Sequence, residues 1–198
     1  MIYDIQPGVR GIIFDLDGTL VDSIPYHFRA WKEAARKYGA EVATSFLNRH
    51  NGTASREIAA ELIREYDLGK KVSWEQLLNE KTNEFSKLQH LIKPIEPVAS
   101  LVIKYYQKLP IALGTGGHRK AVERTLKAVN LSEYFKVIVT ADDIENFKPH
   151  PETFLKCSIR MKVDPSGIEV FEDTDQGIEA ALSAGMRATD VRKWLDSM

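Results

Sequence analysis

Short apolar runs alternate with helix-length amphipathic stretches from about residue 95 onward, and this alternation most narrows the folds open to the chain. Ile111-Ala112-Leu113, Val137-Ile138-Val139 and Ile168-Glu169-Val170-Phe171 are short, apolar and predicted as buried strands. The last of them follows a turn-forming Asp164-Pro165-Ser166-Gly167. Ala188-Thr189-Asp190-Val191 is a further strand candidate, and Gly11-Ile12-Ile13-Phe14 repeats the pattern near the N-terminus. Between the strands, Ala121, Val122, Thr125, Leu126 and Val129 share one helix face, as do Ile178, Ala181, Leu182 and Gly185. Pro151 suits the first turn of another helix, with Glu152 placed well for its dipole and Phe154, Leu155 and Ser158 turned inward. The fold class predicted is α/β, a parallel sheet covered on both faces.

The stretch from Ser23 to about Ile92 breaks this pattern, with helix following helix and no strand. Phe28, Trp31, Ala35 and Tyr38 form one apolar stripe ended by Gly39, and Ile58, Ala59, Leu62, Ile63 and Tyr66 form a second ended near Gly69. Ser73 with Gln76 makes a capping box for a third helix carrying Leu77, Leu78, Phe85 and Leu88. A helical block placed directly after the first strand predicts a cap or lid, residues 23–92. Residues 1–22 and 93–198 then form the α/β core, whose ligand edge is the C-terminal edge of its sheet.

Charge and composition limit the function classes. The net charge is −1, from 27 basic and 28 acidic residues, and no basic stripe of the kind expected in a nucleic-acid binder stands out. No apolar run approaches the roughly 20 residues of a membrane-spanning helix. Met1-Ile2-Tyr3-Asp4 has no basic stretch followed by an apolar segment, so no secretory leader is expected. Cys157 is the single cysteine, which excludes an internal disulfide; set among Phe154, Leu155 and Ile159, it reads as a buried thiol. These features lead to the expectation of a cytoplasmic, monomeric protein acting on a small molecule.

The chemically suggestive residues fall just after predicted strands. In Asp15-Leu16-Asp17-Gly18-Thr19 the two acids are at i and i+2, where strand geometry lets them converge, and Gly18 permits a sharp turn. Paired carboxylates repel unless a cation or shared proton compensates, and Mg²⁺, a hard cation, is the natural compensator. An ordinary Asp-Gly turn with two solvated acids is the alternative. Thr115 and Gly116, in Leu113-Gly114-Thr115-Gly116-Gly117, suit a phosphate at a helix start, and a purely structural turn fits equally well. Lys148, between Phe147 and Pro149, offers a compact charge for a phosphate, or is an exposed loop lysine. Glu172-Asp173-Thr174-Asp175 ends a strand with more acids than helix capping needs, which favours a metal ligand. Together these segments supply a nucleophile, a general acid, phosphate donors and cation ligands, the parts of a phosphoryl-transfer site.

In this order the motifs Asp15-x-Asp17-Gly18-Thr19, Thr115, Lys148 and Glu172-Asp173 resemble those of the haloacid dehalogenase superfamily. Phe14-Asp15-Leu16-Asp17-Gly18-Thr19-Leu20 and Phe171-Glu172-Asp173-x-x-x-Gly177-Ile178-x-Ala180-Ala181-x-x-Ala184-Gly185-Met186 make the likeness specific, and it covers essentially the whole chain. The resemblance is nearest to the subgroup of β-phosphoglucomutase and the bacterial fructose-1-phosphate phosphatases. Gly114-Thr115-Gly116, Asn51-Gly52-x-x-x-Arg56-x-Ile58 and Asp190-Val191-Arg192 draw it toward the phosphatases.

The resemblance implies a Rossmann-like parallel sheet core with an inserted helical cap. It also implies an Mg²⁺-dependent phosphatase acting on a small sugar phosphate, with a sugar phosphomutase as the alternative. Asp15 is then the nucleophile that becomes an aspartyl phosphate, and Asp17 the general acid and base. Thr115, Gly116 and Lys148 hold phosphoryl oxygens, while Asp15, Asp17, Glu172 and Asp173 form the metal site. His27, Asn51, Gly52 and Arg56 of the cap select the substrate. His27 also fits a surface helix histidine, and Arg56 a solvated first-turn arginine. His50, His90 and His118 carry no functional argument. The loop before Arg56 has Asn51 or a neighbour where the mutase has a lysine, which weakens the mutase reading. A signalling receiver domain shares the aspartyl phosphate but lacks both an acid at Asp17 and a helical cap. A true dehalogenase would have no use for Mg²⁺-binding acids.

Overall fold

A computed structural model describes residues 4–195; the leader reading of the opening residues therefore falls in part outside them. The chain divides into two compact units, one running up to Asp22 and resuming at Lys93, the other Ser23–Ile92.

The first unit is built on a five-stranded sheet. Its strands are β1 (Gly11–Phe14), β2 (Ile111–Gly114), β3 (Val137–Val139), β4 (Ile168–Glu172) and β5 (Arg187–Asp190). All neighbours pair in parallel in the order β3-β2-β1-β4-β5, with Ile13 opposite Ala112 on one side and Val170 on the other. Every residue of β1, β2 and β4 is buried, as expected for strands covered on both faces. In chain order, the helices of this unit are α5 (Glu96–Tyr105), α6 (Arg119–Ala128), α7 (Glu152–Met161), α8 (Asp175–Ser183) and α9 (Arg192–Leu195). The core joins Ile13, Ala112, Val139 and Val170 of the sheet to Phe154 and Cys157 of α7 and Ala180 and Ala181 of α8.

Four details differ from the sequence reading. The last strand starts one residue earlier, at Arg187, because Glu169 and Glu172 pair with Arg187 and Asp190, and Val191 begins the following turn. Pro151 sits just before α7 rather than in its first turn. Ile159 does not surround Cys157, since it is 73% exposed. The inward face of α8 is Gly177, Ala180, Ala181 and Ala184, while Leu182 is 59% exposed and Gly185 lies beyond the helix with φ +75°. Packing close to the sheet favours the small residues of α8 over the larger Leu182.

Cys157 is itself buried, and that burial pushes its thiol up to about 12. A thiol reagent such as DTNB at pH 8 is expected to leave the native protein unlabelled and to label one thiol after urea unfolding. Rapid labelling of the folded protein would contradict this burial.

The second unit contains α1 (Ile24–Arg36), α2 (Thr44–Arg49), α3 (Ser55–Glu65) and α4 (Trp74–Leu88). α2 was not separated in the sequence reading, being a short turn of helix without a full apolar stripe. Trp31, Phe46, Leu47, Leu62, Leu68 and Leu77 form its core. Tyr38 packs on this core from just beyond α1, where Gly39 takes φ +85°. The capping box at Ser73 is formed, with Ser73 Oγ accepting from Gln76 N and Gln76 Oε1 accepting from Ser73 N. No helix among the described residues is long and apolar enough to cross a membrane.

Candidate active site

Parallel strands bring the residues that follow them to one edge of the sheet. At this edge β1 lies between β2 and β4, the strands on which the chain departs in opposite directions, the usual place for a ligand in such a sheet. Asp15 extends β1, its N–H donating to the Phe171 carbonyl at 3.0 Å. The chain then coils tightly: Leu20 N and Val21 N donate to Leu16 O, and Gly18 N donates to Val21 O. Gly18 has φ +85°, and a Cβ there would lie 2.3 Å from Asp173 Oδ2, so both backbone and space demand glycine.

Lys148 is the centre of the charge arrangement. Its Nζ donates to Asp15 Oδ1 at 2.6 Å, Glu172 Oε1 at 2.7 Å and the Gly114 carbonyl at 3.3 Å, and it stands 4.7 Å from the Phe154 ring centre. The side chain is only 10% exposed, so the solvated-loop reading does not hold. Burial lowers its pKa, but Asp15 and Glu172 more than offset that, holding the ammonium above its usual range. Burial raises Asp15 well above the carboxylate range; Glu172 and Asp173 add to the rise and Lys148 opposes it. Asp173 is raised to about 7, first by burial and then by Glu172, with Asp17 contributing.

Consecutive residues at the end of β4 point to different sides. Glu172 faces Lys148, and its Oε2 accepts from Thr174 N at 2.7 Å and Thr174 Oγ1 at 2.9 Å. Asp173 faces the β1 loop, where Oδ1 accepts from Thr19 Oγ1 at 2.7 Å. Glu172, read from the sequence as a metal ligand, has both oxygens engaged by Lys148 and Thr174. A Cβ at Gly177 would lie 1.8 Å from Glu172 Oε1, so this helix glycine makes room for the buried carboxylate.

Thr115 is buried at the end of β2, and its Oγ1 accepts from Gly117 N at 3.0 Å. Gly116 is exposed with open space above it, as a Cβ there would meet nothing within 4 Å. Asp17 is half-buried, and its Oδ2 would lie 3.8 Å from a Cβ at Gly117. Asp15, Glu172, Asp173 and Lys148 are thus brought together, with Asp17 and the Thr115 turn beside them.

In the helical unit, Arg56 is exposed and stacks its guanidinium 4.6 Å from the Trp74 ring centre. Asn51 and Gly52 are exposed in the turn before α3, Gly52 with φ +84°. His27 is half-buried, its ring 3.9 Å from that of Phe85, with Nδ1 2.9 Å from Lys81 Nζ. Lys81 is a residue the sequence reading missed. It is 7% exposed, and its ammonium lies 5.5 Å from the Trp31 ring centre and 5.0 Å from that of Phe85. The one signal was its spacing four residues before Phe85 on an apolar face.

Among the described residues, no three acid, His or Cys side chains form a ready metal cage. The donor chemistry nevertheless fits a hard divalent cation. Asp15, Glu172 and Asp173 are buried close together, Lys148 pairs with the first two, and like-charge crowding adds to the burial that raises Asp15 and Asp173. Such a cation would relieve that excess.

A parallel α/β sheet of this kind takes its ligand at the C-terminal edge, where this one presents Asp15 and Lys148 from separate loops. Residues 12–191 match the haloacid dehalogenase-like hydrolase family, and the chain belongs to it. It is 38% identical over 185 residues to the fructose-1-phosphate phosphatase YqaB of Escherichia coli K12, covering 92% of this chain and 96% of that one. It is 33% identical over 180 residues to a phosphorylated carbohydrates phosphatase of Thermotoga maritima, covering 90% and 82%. The crystal structure of β-phosphoglucomutase from Clostridium difficile is similar with a TM-score of 0.80 and 26% identity, over 94% of this chain and 87% of that one. Family membership sets the receiver-domain reading aside.

Proposed function

We propose that this enzyme is a phosphatase hydrolysing a small sugar phosphate, with Asp15 as covalent nucleophile. The observation that carries the reading is Lys148 Nζ held between Asp15 Oδ1 at 2.6 Å and Glu172 Oε1 at 2.7 Å at the ligand edge of the sheet. The phosphatase names of the relatives at 38% and 33% identity support the choice of reaction and of a carbohydrate substrate.

In this mechanism an Asp15 carboxylate oxygen attacks phosphorus, and the bond from phosphorus to the sugar oxygen breaks. Asp17, protonated, gives its proton to that leaving oxygen. Asp17, now a carboxylate, takes a proton from water as the water oxygen attacks the aspartyl phosphate, releasing inorganic phosphate and restoring Asp15. Lys148 offsets the charge gathered on the phosphoryl oxygens, with the Thr115 hydroxyl and the open backbone at Gly116 beside it. Mg²⁺, held by Asp15, Asp173 and the Asp17 carbonyl, would supply the positive charge that lets a phosphate dianion approach a carboxylate. Glu172 acts in this scheme by orienting Lys148. His27, Asn51, Gly52 and Arg56 are the proposed selectors of the substrate.

The test is phosphorus NMR on fructose 1-phosphate, 6-phosphogluconate and β-glucose 1-phosphate, with Mg²⁺ and then with excess EDTA. The expected result is stoichiometric inorganic phosphate from at least one sugar phosphate, abolished by EDTA and restored by Mg²⁺. Conversion of β-glucose 1-phosphate to glucose 6-phosphate without free phosphate would make the enzyme a mutase. Turnover indifferent to EDTA would remove the cation from the scheme.

A further inference from the structure

We infer that Asp143 is a positioning residue for this reaction, clasping the loop that carries Thr115 to the loop that carries Lys148. The inference rests on the phosphatase reading above. The two loops follow different strands, β2 and β3, so their separation is not fixed by chain connectivity. Asp143 joins them. Its Oδ2 accepts from Arg119 Nη2 at 2.6 Å, and Arg119 is the first residue of the helix that follows the Thr115 loop. Its Oδ1 accepts from Arg160 Nη2 at 2.8 Å, and Arg160 lies on α7, beyond Lys148. The same Oδ2 accepts from Thr140 N and Thr140 Oγ1, both at 2.8 Å, capping the turn that opens the Lys148 loop.

Neighbouring contacts run the same way. Asp142 Oδ2 accepts from Arg119 N at 2.7 Å, and Ala141 N donates to the Gly117 carbonyl at 3.0 Å. Further along, Lys156 Nζ donates to the Asp143 carbonyl at 2.6 Å and pairs with Glu152. Glu152 in turn accepts from Glu145 N at 3.1 Å and from Asn146 N at 2.9 Å, two residues before Lys148. Arg119 and Arg160 both also donate to the Ile138 carbonyl, at 3.1 and 2.9 Å, which ties the clasp to β3. Burial would raise the Asp143 carboxyl, but Arg160, Thr140 and Arg119 outweigh it and hold the group well below the usual range. Asp143 is therefore charged at neutral pH. Asp143 touches neither candidate phosphate-holding group; it acts on the distance between them, where a displacement of about 1 Å can cost on the order of 100-fold in rate.

The test is Asp143→Asn, which keeps the size of the side chain and removes its charge. Three readouts are taken on the full chain with Mg²⁺: amide hydrogen exchange of residues 115–118 and 146–148, competitive inhibition by inorganic phosphate, and kcat and KM. The expected result is faster exchange in both segments, phosphate inhibition weakened roughly 10-fold, and kcat/KM lowered roughly 10- to 100-fold. A lowered melting temperature with exchange, phosphate inhibition and kcat/KM unchanged would overturn the inference, leaving Asp143 an ordinary structural acid. Should Asp143→Asn fail to fold, Arg160→Gln cuts one arm of the clasp from a more exposed position and is judged by the same readouts. A wild-type enzyme that releases no phosphate overturns the proposed function and the positioning role with it. An active wild type with an unaltered variant overturns the positioning role alone.

Discussion

Asp15→Asn is expected to abolish phosphate release, lowering kcat by roughly 10⁴-fold or more, the scale on which loss of a covalent nucleophile is felt. The amide is isosteric with the carboxylate, so the buried site is not opened. It still offers an oxygen to Lys148 Nζ, now 2.6 Å from Asp15 Oδ1. What disappears is the nucleophilic carboxylate oxygen. The charge crowding that raises Asp15, from burial and from Glu172 and Asp173, is also relieved, so the variant is expected to fold as well as the parent. The check is phosphate release in Mg²⁺ buffer beside a thermal melt. Turnover within 10-fold of wild type, by the same reasoning about nucleophiles, would exclude covalent catalysis at Asp15.

Lys148→Met carries the second large effect, on stability as well as activity. The apolar replacement fills much of the same space but leaves Asp15 and Glu172 buried together without their ammonium. Removing one partner of a buried charge cluster costs about 3–5 kcal/mol, and urea unfolding in EDTA at pH 8 is expected to show a loss of that order. The pH dependence has a definite sign. A carboxyl whose folded pKa is raised contributes stability below its unfolded pKa and loses it as pH rises through the folded value. Asp15 is already raised with Lys148 present, and losing the lysine raises it further. The destabilisation is therefore full at pH 8 and shrinks on acidification as the Asp15 carboxyl takes up its proton. A loss that is the same at pH 5 and pH 8 would mean that the lysine does not neutralise Asp15. Activity is expected to fall with it, because the phosphoryl group loses a cationic partner.

Both predictions begin from residues visible in the sequence, yet only part of their environment was visible there. Strands β1, β2 and β4 were legible because each is a short run, mostly apolar, buried on both faces. The capping box at Ser73 was legible because its partners are three residues apart. Helix faces were less so. Leu182 fits an apolar stripe but is 59% exposed, and Lys81 interrupts one but is buried against Trp31 and Phe85. Periodicity states which residues share a face; the neighbours that cover the face come from distant parts of the chain.

The sequence by itself determined the α/β class, the helical block from Ser23 to Ile92, and the short strand-end motifs holding Asp15, Asp17, Thr115, Lys148, Glu172 and Asp173. Tertiary structure alone decided that Lys148 is buried and bonded to Asp15 and Glu172, that Glu172 faces the lysine while Asp173 faces Thr19, and that Gly177 makes room for the Glu172 carboxylate. The reason is physical. Backbone preference and side-chain spacing act over a few residues, whereas the charge state of Lys148 depends on partners 24 and 133 residues away in the chain. Those partners reach hydrogen-bonding distance only when the parallel strands align their ends.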